Sequence, residues 1–264
     1  MFEKIKLQLS EKSVISGYAI PTQISKKEIA DLSGSWKTPP GTLCKAGSST
    51  VAYICNDKFF KCSPAGKLKR ALRKMFQIPR PIRSMRMADK LKSIGVSTPQ
   101  VFCAVREKHC GIPVCDYLVT ELLDTSKVFF ADKCRNFSFE TQQQLFYSCA
   151  KLLKKMHLNH ICHGDASLRN FYFYDQLCNT EPGVIDLDGC GTVFFLTEKK
   201  VFLKEDARFI SSFIICCGRS EEPSQVEELC RFYIENFRTE SPDQKYIFRT
   251  LVKLTMRYLV RTRR

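Results

Sequence analysis

Apolar residues recur along this chain with two different periods, and the change from one to the other divides it. From Thr42 onward short apolar runs are separated by turn residues. Residues 43–45, 50–54 and 58–61 read as strands; Ala46-Gly47-Ser48-Ser49 joins the first two and an Asn56-Asp57 turn the last two. Ser63-Pro64 has the chemistry of an N-cap and first turn, which predicts a basic helix through about residue 76. Residues 77–81 break it, and a second helix is expected over about 83–94, stopping at Gly95, with Met85, Ala88 and Leu91 on one face. Strands at 101–106 and 116–122 complete an antiparallel sheet of about five strands interrupted by one helical excursion. After Asp124-Thr125-Ser126 the period lengthens to that of a helix. Leu145, Phe146, Cys149, Leu152, Leu153 and Met156 form a stripe within 142–160, and further helices are expected near 204–216, 224–237 and 244–260. The first 35 residues are weakly patterned: 2–9 alternate like a strand, 25–32 fit a short helix, and Trp36 precedes a Pro39-Pro40-Gly41 turn. The expectation is an α+β chain, with residues 1–124 forming a small antiparallel-sheet lobe and 125–264 a mainly helical one.

Composition narrows the class. In 264 residues, 44% are hydrophobic and 26% charged, which suits a folded chain and excludes a disordered one. No window approaches the roughly 18 uninterrupted apolar residues of a spanning helix. The alternating start Met1-Phe2-Glu3-Lys4-Ile5-Lys6 lacks a signal-peptide core, so a cytoplasmic location is expected. The 14 cysteines are scattered with no Cys-x-x-Cys pair; Cys103, Cys149 and Cys178 sit in apolar runs, where a reduced thiol packs as a small hydrophobe. The net charge of +15 asks for an anionic partner: nucleic acid, phospholipid headgroups, or a phosphorylated or acidic substrate. The basic residues cluster between Lys67 and Lys92, where Asp89 is the only acid, and at the end of the chain.

The chemistry concentrates in His163-Gly164-Asp165-Ala166-Ser167-Leu168-Arg169-Asn170, followed by Gly183-Val184-Ile185-Asp186-Leu187-Asp188-Gly189. Residues 171–174 and 183–185 read as two short strands joined by a turn over 175–182, a hairpin that brings Asn170 at its entrance near Asp186 at its exit. Asn170 and Asp186 offer the hard oxygen ligands that Mg²⁺ prefers, one or two from protein with substrate phosphates completing the shell. Asp165, upstream on a loop, is placed to accept a proton from an attacking hydroxyl. This is the layout of a phosphoryl-transfer site. The loop Gly47-Ser48-Ser49 can lay backbone N–H groups over phosphates, although an ordinary hairpin turn needs the same residues. Lys61 beside an apolar run is by itself an ordinary snorkelling lysine.

The order of these segments resembles the protein kinase-like superfamily. More narrowly, FFKCSPAGKLKRALRKM, RSMRMADKLKSIGVSTPQVF and YLVTELL, with HGDASLRN and VIDLDG, are similar to the bacterial lipopolysaccharide kinases that phosphorylate the Kdo and heptose sugars of the inner core. The similarity spans roughly Leu43 to Gly191. The resemblance implies a two-lobed kinase-like fold using ATP and Mg²⁺. It assigns Asp165 as the catalytic aspartate and Asn170 and Asp186 as metal ligands, with Asp188 as an accessory carboxylate if the chain there is extended. It further assigns Lys61 to the α- and β-phosphates, Gly47, Ser48 and Ser49 to the phosphate loop, the backbone of Glu121 and Leu122 to adenine, and His163 to a structural pin. One departure stands out: Ser84 occupies the place of the helix glutamate that normally pairs with the lysine. Asp89 lies a turn or more later, and Glu107 is the carboxylate considered as a substitute.

The expected acceptor is an anionic, lipid-anchored saccharide, with an anionic membrane surface as a further partner at the cytoplasmic face of the inner membrane. The basic residues Lys67, Lys69, Arg70, Arg73 and Lys74 suit either such an acceptor or a plainly solvated helix face. The helix over 244–260 fits either a membrane surface or packing on the core. No nucleic-acid partner is expected, because the chain carries no recognition motif for one. A kinase for small molecules or protein hydroxyls shares every motif, and a catalytically dead nucleotide-binding scaffold is the alternative from a different class.

Overall fold

The computed structural model describes residues 1–175, 180–194, 197–238 and 243–262. Two compact units emerge: residues 1–90 with 99–123, and residues 91–98 with 124–264.

The first unit is built on a seven-stranded antiparallel sheet. Its strands are β1 (Glu3–Gln8), β2 (Ser13–Ala19), β3 (Thr42–Ala46), β4 (Val51–Cys55), β5 (Lys58–Pro64), β6 (Val101–His109) and β7 (Ile112–Glu121), in the spatial order β1-β2-β6-β7-β5-β4-β3. The sequence pattern suggests five strands because β2 hides its period: its inward positions are Ile15, Gly17 and Ala19, two of them small. Gly17 has to be small. A Cβ there would lie 2.2 Å from the Ala104 carbonyl oxygen of β6, the strand with which β2 pairs. Helix α1 (Lys26–Ala30) starts with a capping box in which Ser25 and Glu28 satisfy each other's backbone N–H. Its Ile29 joins Leu32, Ile15, Tyr53, Phe60, Val105 and Tyr117 in the core of this unit. Cys62, Cys103 and Cys115 are buried in that core as free thiols, and burial pushes Cys62 and Cys103 up to about 12.

Two helices link β5 to β6: α2 (Leu68–Met75) and α3 (Arg80–Ser93). Ser63-Pro64 does not open α2, contrary to the sequence expectation. Instead β5 continues through both residues, which pair with Asp116 and Cys115 of β7. Proline lacks a donor and serves at a strand end as readily as in a first helical turn. Lys67 takes the N-cap position with no side-chain cap bond. What holds α2 is its other end. Arg106 on β6 and its cross-strand partner Asp116 on β7 form a buried pair, Nε to Oδ1 2.6 Å and Nη2 to Oδ2 3.1 Å. Arg106 Nη1 then donates to the carbonyls of Lys74 (2.6 Å) and Gln77 (3.2 Å), capping α2.

The second unit is mainly helical. Helix α4 (Phe139–Leu158), N-capped by Ser138, buries every member of the apolar stripe read from the sequence. Short pairings follow: β8 (Phe129–Phe130), β9 (Ile161–Cys162), β10 (Phe171–Phe173), β11 (Gly183–Val184) and β12 (Gly191–Thr192), in sheets ordered β11-β10-β8 and β12-β9. Helices α5 (Glu198–Cys216), α6 (Pro223–Phe237) and α7 (Gln244–Thr262) complete it. An aromatic cluster of Phe146, Phe171, Phe209, Phe213, Tyr233 and Phe237 joins α4, β10, α5 and α6. Helix α7 turns Ile247, Leu251, Thr255 and Leu259 inward against α5 and α6, so core packing accounts for its apolar face. Cys178 and the end of the chain at 263–264 lie outside the described residues.

Removing one partner of a buried ion pair strands the other. Asp116→Ala is expected to destabilise the protein by about 3–5 kcal/mol in denaturant unfolding. The same change releases α2, so limited proteolysis should cut first between Lys67 and Gln77. Unchanged stability and an unchanged cleavage map would show that the pair does not hold this helix.

Candidate active site

The geometry of the site grows from one small hairpin in the second unit. Strands β10 and β11 pair with Phe171 opposite Val184 and Tyr172 opposite Gly183. The Ile185 N–H then donates to the Asn170 carbonyl at 2.9 Å, which sets Asn170 beside the start of the Asp186 segment. His163, fully buried, donates from Nε2 to the Ile185 carbonyl at 2.9 Å and so ties the Asp165 loop to the same strand exit. Asn170 donates from Nδ2 to the Asp165 backbone carbonyl at 2.8 Å. Gly164, at φ +81°, lies so close to Gly189 that a Cβ would sit 2.3 Å from the Gly189 carbonyl oxygen. Asp165, Asn170 and Asp186 are thus gathered by backbone pairing and two side-chain bonds.

Asp186 is left-handed, φ 57° and ψ 60°, a costly conformation for a residue with a Cβ and one that marks functional sites. A 3₁₀ turn, Leu187–Gly189, follows at once. The chain here is therefore not extended, which corrects the premise on which Asp188 was placed on the same side as Asp186.

Helix α5 holds the loop from behind with three polar residues spaced by turns of the helix. Glu205 Oε1 accepts from the Gly164 N–H at 2.6 Å. Arg208 Nη1 donates to the Gly164 carbonyl at 3.1 Å and to Asp165 Oδ1 at 3.0 Å. Ser212 Oγ accepts from the Leu168 N–H at 2.8 Å and bonds Ser167 Oγ at 3.0 Å. Arg169 Nη2 reaches the second oxygen, Asp165 Oδ2, at 2.9 Å, so a guanidinium flanks each side of the carboxylate. Tyr258 of α7 lies under the Arg208 guanidinium, 5.3 Å from ring centroid to carbon.

Behind Glu205 a buried chain fixes proton positions. Arg238 Nη2 donates to His157 Nδ1 at 2.7 Å, and His157 Nε2 bonds Glu205 Oε2 at 2.8 Å. Burial pushes His157 down to about 3, so the imidazole is neutral. With Nδ1 accepting, the proton sits on Nε2 and is donated to Glu205. Burial pushes the Glu205 carboxyl up, while His163 and the Gly164 N–H act in the opposite sense. Asp206, wholly buried, takes Tyr233 Oη at 2.7 Å and Arg238 Nε at 2.9 Å.

The remaining sequence candidates lie in the first unit. Lys61 sits mid-strand in β5 between Ala52 and Leu118, partly buried and engaged by a neighbour. Gly47, Ser48 and Ser49 form the exposed tip between β3 and β4, closed by Gly47 N–H to Thr50 carbonyl at 3.0 Å. Glu121 ends β7 with its N–H committed to the Gln100 carbonyl at 2.8 Å, and Leu122 follows. Ser84 is buried on α3 and Asp89 exposed on it, and both are engaged. Glu107 is spent elsewhere, accepting from Ser33 Oγ and Tyr117 Oη, each at 2.7 Å.

The donor set fits a hard cation carried mainly by phosphates. Asn170 commits its amide nitrogen to the loop, and its amide carbonyl is an oxygen of the hard type such a cation takes. Among the described residues no three His, Cys, Asp or Glu side chains assemble into a metal cage. Mg²⁺ needs none, since one or two protein oxygens suffice when a nucleotide brings the rest. Sequence reasoning missed Glu205, Arg208 and Ser212. The available signal was three polar residues at helical spacing among Phe202, Leu203, Phe209, Ile210, Phe213 and Ile214, an unfavourable place for them unless bonded.

An antiparallel-sheet unit followed in the chain by a helical unit with a His-Gly-Asp loop and a hairpin-borne aspartate defines a kinase-like protein, and the fold of one solved structure agrees. The structure of WaaP in complex with acyl carrier protein is similar at a TM-score of 0.50 and 17% identity, over 84% of this chain and 91% of that one. A structure of WbdD with the kinase inhibitor LY294002 is similar at a TM-score of 0.47 and 12% identity, over 80% and 43%. The EKC/KEOPS complex subunit BUD32 of Enterocytozoon bieneusi (strain H348) is 26% identical over 165 residues, 55% of this chain and 78% of that protein. Residues 45–203 match the Lipopolysaccharide kinase (Kdo/WaaP) family, and the chain belongs to it. It is accordingly a phosphotransferase of the sugar-kinase type.

Glu205→Gln tests the proton chain. The amide NH₂ faces either the His157 Nε2–H or the Gly164 N–H, and Arg238 blocks the other imidazole tautomer. One buried donor is left unsatisfied, at an expected cost of about 1–3 kcal/mol in denaturant unfolding, despite near-identical shape. A neutral outcome would mean that the proton order above is wrong.

Proposed function

We propose that the chain transfers the γ-phosphoryl group of ATP, with Mg²⁺, to a hydroxyl of an anionic, lipid-linked saccharide of the lipopolysaccharide inner core, Kdo or heptose, at the cytoplasmic face of the inner membrane. The observation that carries this reading is the gathering of Asp165, Asn170 and Asp186 by one hairpin and one histidine. Asp165 orients the acceptor hydroxyl and takes its proton. Arg169 and Arg208, flanking its two oxygens, fix the carboxylate's plane and offset negative charge as it spreads over the phosphoryl oxygens. Such a transition state asks for positioning more than for a strong base, which suits a carboxylate already held by two guanidinium groups. Asn170 and Asp186 would hold Mg²⁺, which supplies charge neutralisation on the nucleotide phosphates when bound. In the first unit, Lys61 and the loop Gly47-Ser48-Ser49 are assigned to those phosphates, and the backbone of Glu121 and Leu122 to adenine. The membership in the lipopolysaccharide kinase family supports a sugar acceptor over a protein one.

A second reading has one observation behind it. The similarity to a subunit of the EKC/KEOPS complex favours a kinase that works within an assembly; a protein hydroxyl, whose kinases share every motif of the site, is the acceptor considered for it.

Incubation with ATP, Mg²⁺ and purified lipopolysaccharide precursors, followed by mass spectrometry of acceptors and of protein, separates the two. Phosphate gained by the saccharide is the expected result; phosphate gained only by protein selects the second reading, and nucleotide binding without transfer indicates an inactive scaffold. Asp165→Asn is expected to lower turnover by roughly 10²–10⁴. Near-wild-type turnover in that variant would remove Asp165 from the chemistry.

A further inference from the structure

Helix α2 wears its apolar residues on the outside. Leu68, Leu72, Met75 and Phe76 stand at i, i+4, i+7 and i+8, a single stripe, and all are exposed; Phe76 is 91% exposed, and Ile78 just beyond is exposed too. The one residue the helix buries is Ala71. An isolated exposed leucine needs no explanation, but a stripe of four large apolar side chains with a fifth just beyond it does.

Looseness does not explain it. The Arg106 guanidinium caps the last turn through the Lys74 and Gln77 carbonyls, anchored by the buried pair with Asp116. Lys74 itself turns inward, donating to the carbonyls of Ser63 and Pro64 at 3.4 and 3.2 Å. The helix is thus clamped with its apolar stripe outward. Around that stripe Lys67, Lys69, Arg70 and Arg73 are exposed, and from Lys67 to Ala88 the chain has no acidic residue.

We propose that α2 is an interfacial helix that docks the protein on an anionic lipid leaflet, with Leu68, Leu72, Met75, Phe76 and Ile78 entering the headgroup–acyl boundary and the four exposed basic residues meeting lipid phosphates. Charge decides the occupant. A second copy of the chain would set this cluster against itself, and like charges facing across an interface oppose association. Nucleic acid would use the cations and leave five apolar side chains wet. A bilayer with acidic headgroups satisfies both sets at once, the pattern of a helix lying in the membrane plane. Among the described residues no helix is long and apolar enough to cross a membrane, so lying on the surface is the mode open to α2. The inference deepens the reading of a lipid-linked acceptor and rests on it for its purpose, but its test does not.

The full chain is co-sedimented with vesicles of phosphatidylethanolamine and phosphatidylglycerol, and in parallel with vesicles of phosphatidylcholine alone. Binding to the anionic vesicles only is expected, weakened by salt. Leu72→Ser with Phe76→Ser, and separately Lys69→Glu with Arg73→Glu, should each reduce partitioning by about tenfold or more. These side chains are exposed, so both variants keep the wild-type melting curve. Undiminished vesicle binding by the Leu72/Phe76 variant overturns the proposal. So does a wild-type dimer in size-exclusion chromatography that the variant dissolves, which would assign the stripe to a second copy. The vesicles contain no acceptor and the readout involves no phosphoryl transfer. Failure to phosphorylate lipopolysaccharide therefore leaves this result standing, while vesicle binding lost in the Leu72/Phe76 variant leaves its turnover on a detergent-dispersed acceptor intact.

Discussion

The loop over residues 163–170 has its shape because a buried helix carries hydrogen-bonding groups where side chains are otherwise apolar. Residues 163–170 form almost no regular structure, and a loop with unpaired backbone groups has no reason to hold one conformation. Glu205, Arg208 and Ser212 supply the missing partners for Gly164, Asp165 and Leu168. Each sits about one turn from the next on α5, so the rigidity of the helix becomes the rigidity of the loop. Glu205 in turn needs His157 and Arg238, and Arg238 needs Asp206, which Tyr233 also bonds. Phe202 stacks on His157 and lies against the Arg238 guanidinium, and Tyr233 ties the network to the aromatic cluster around Phe146 and Phe209.

A comparable device operates in the first unit with a different purpose. Arg106 and Asp116 face each other across β6 and β7, and burying the pair alone would be a weak source of stability. The guanidinium has donors to spare, and two of its bonds go to the carbonyl end of α2. The pair fixes an orientation as well as a fold, because it decides which face of α2 meets solvent.

Much of this was legible in the residues. The stripe in α4 read correctly, because six apolar residues at helical spacing leave little choice. The hairpin that joins Asn170 to Asp186 was also legible, since two short apolar runs flank turn residues and the register then follows. Strand β2 was not: two of its three inward residues are glycine and alanine, which carry little hydrophobic signal, and its fit depends on close approach to β6. The first turns of α5 were missed for a related reason, as Glu198, Lys199 and Lys200 are charged and show no hydrophobic period. Ser63-Pro64 misled because its chemistry suits two structures, and only the pairing partner on β7 decides between them. The α5 contacts to the loop span some forty positions, and no local pattern announces a bond of that range.

The conformation of Asp186 connects these themes. A left-handed aspartate is held against its preference only where the surroundings over-determine it. Here the Ile185 N–H is taken by Asn170, the Ile185 carbonyl by His163, and the turn after Asp186 is closed by the Cys190 N–H to the Leu187 carbonyl. With the backbone pinned on both sides, the Cα–Cβ direction of Asp186 is fixed before any ligand arrives. The same His163 anchors the segment that bears Asp165, so the two acidic groups share one support. A change that loosens His163 therefore acts on both ends of the candidate site together, because its one buried imidazole bonds the exit of the hairpin and stands in the loop that bears Asp165.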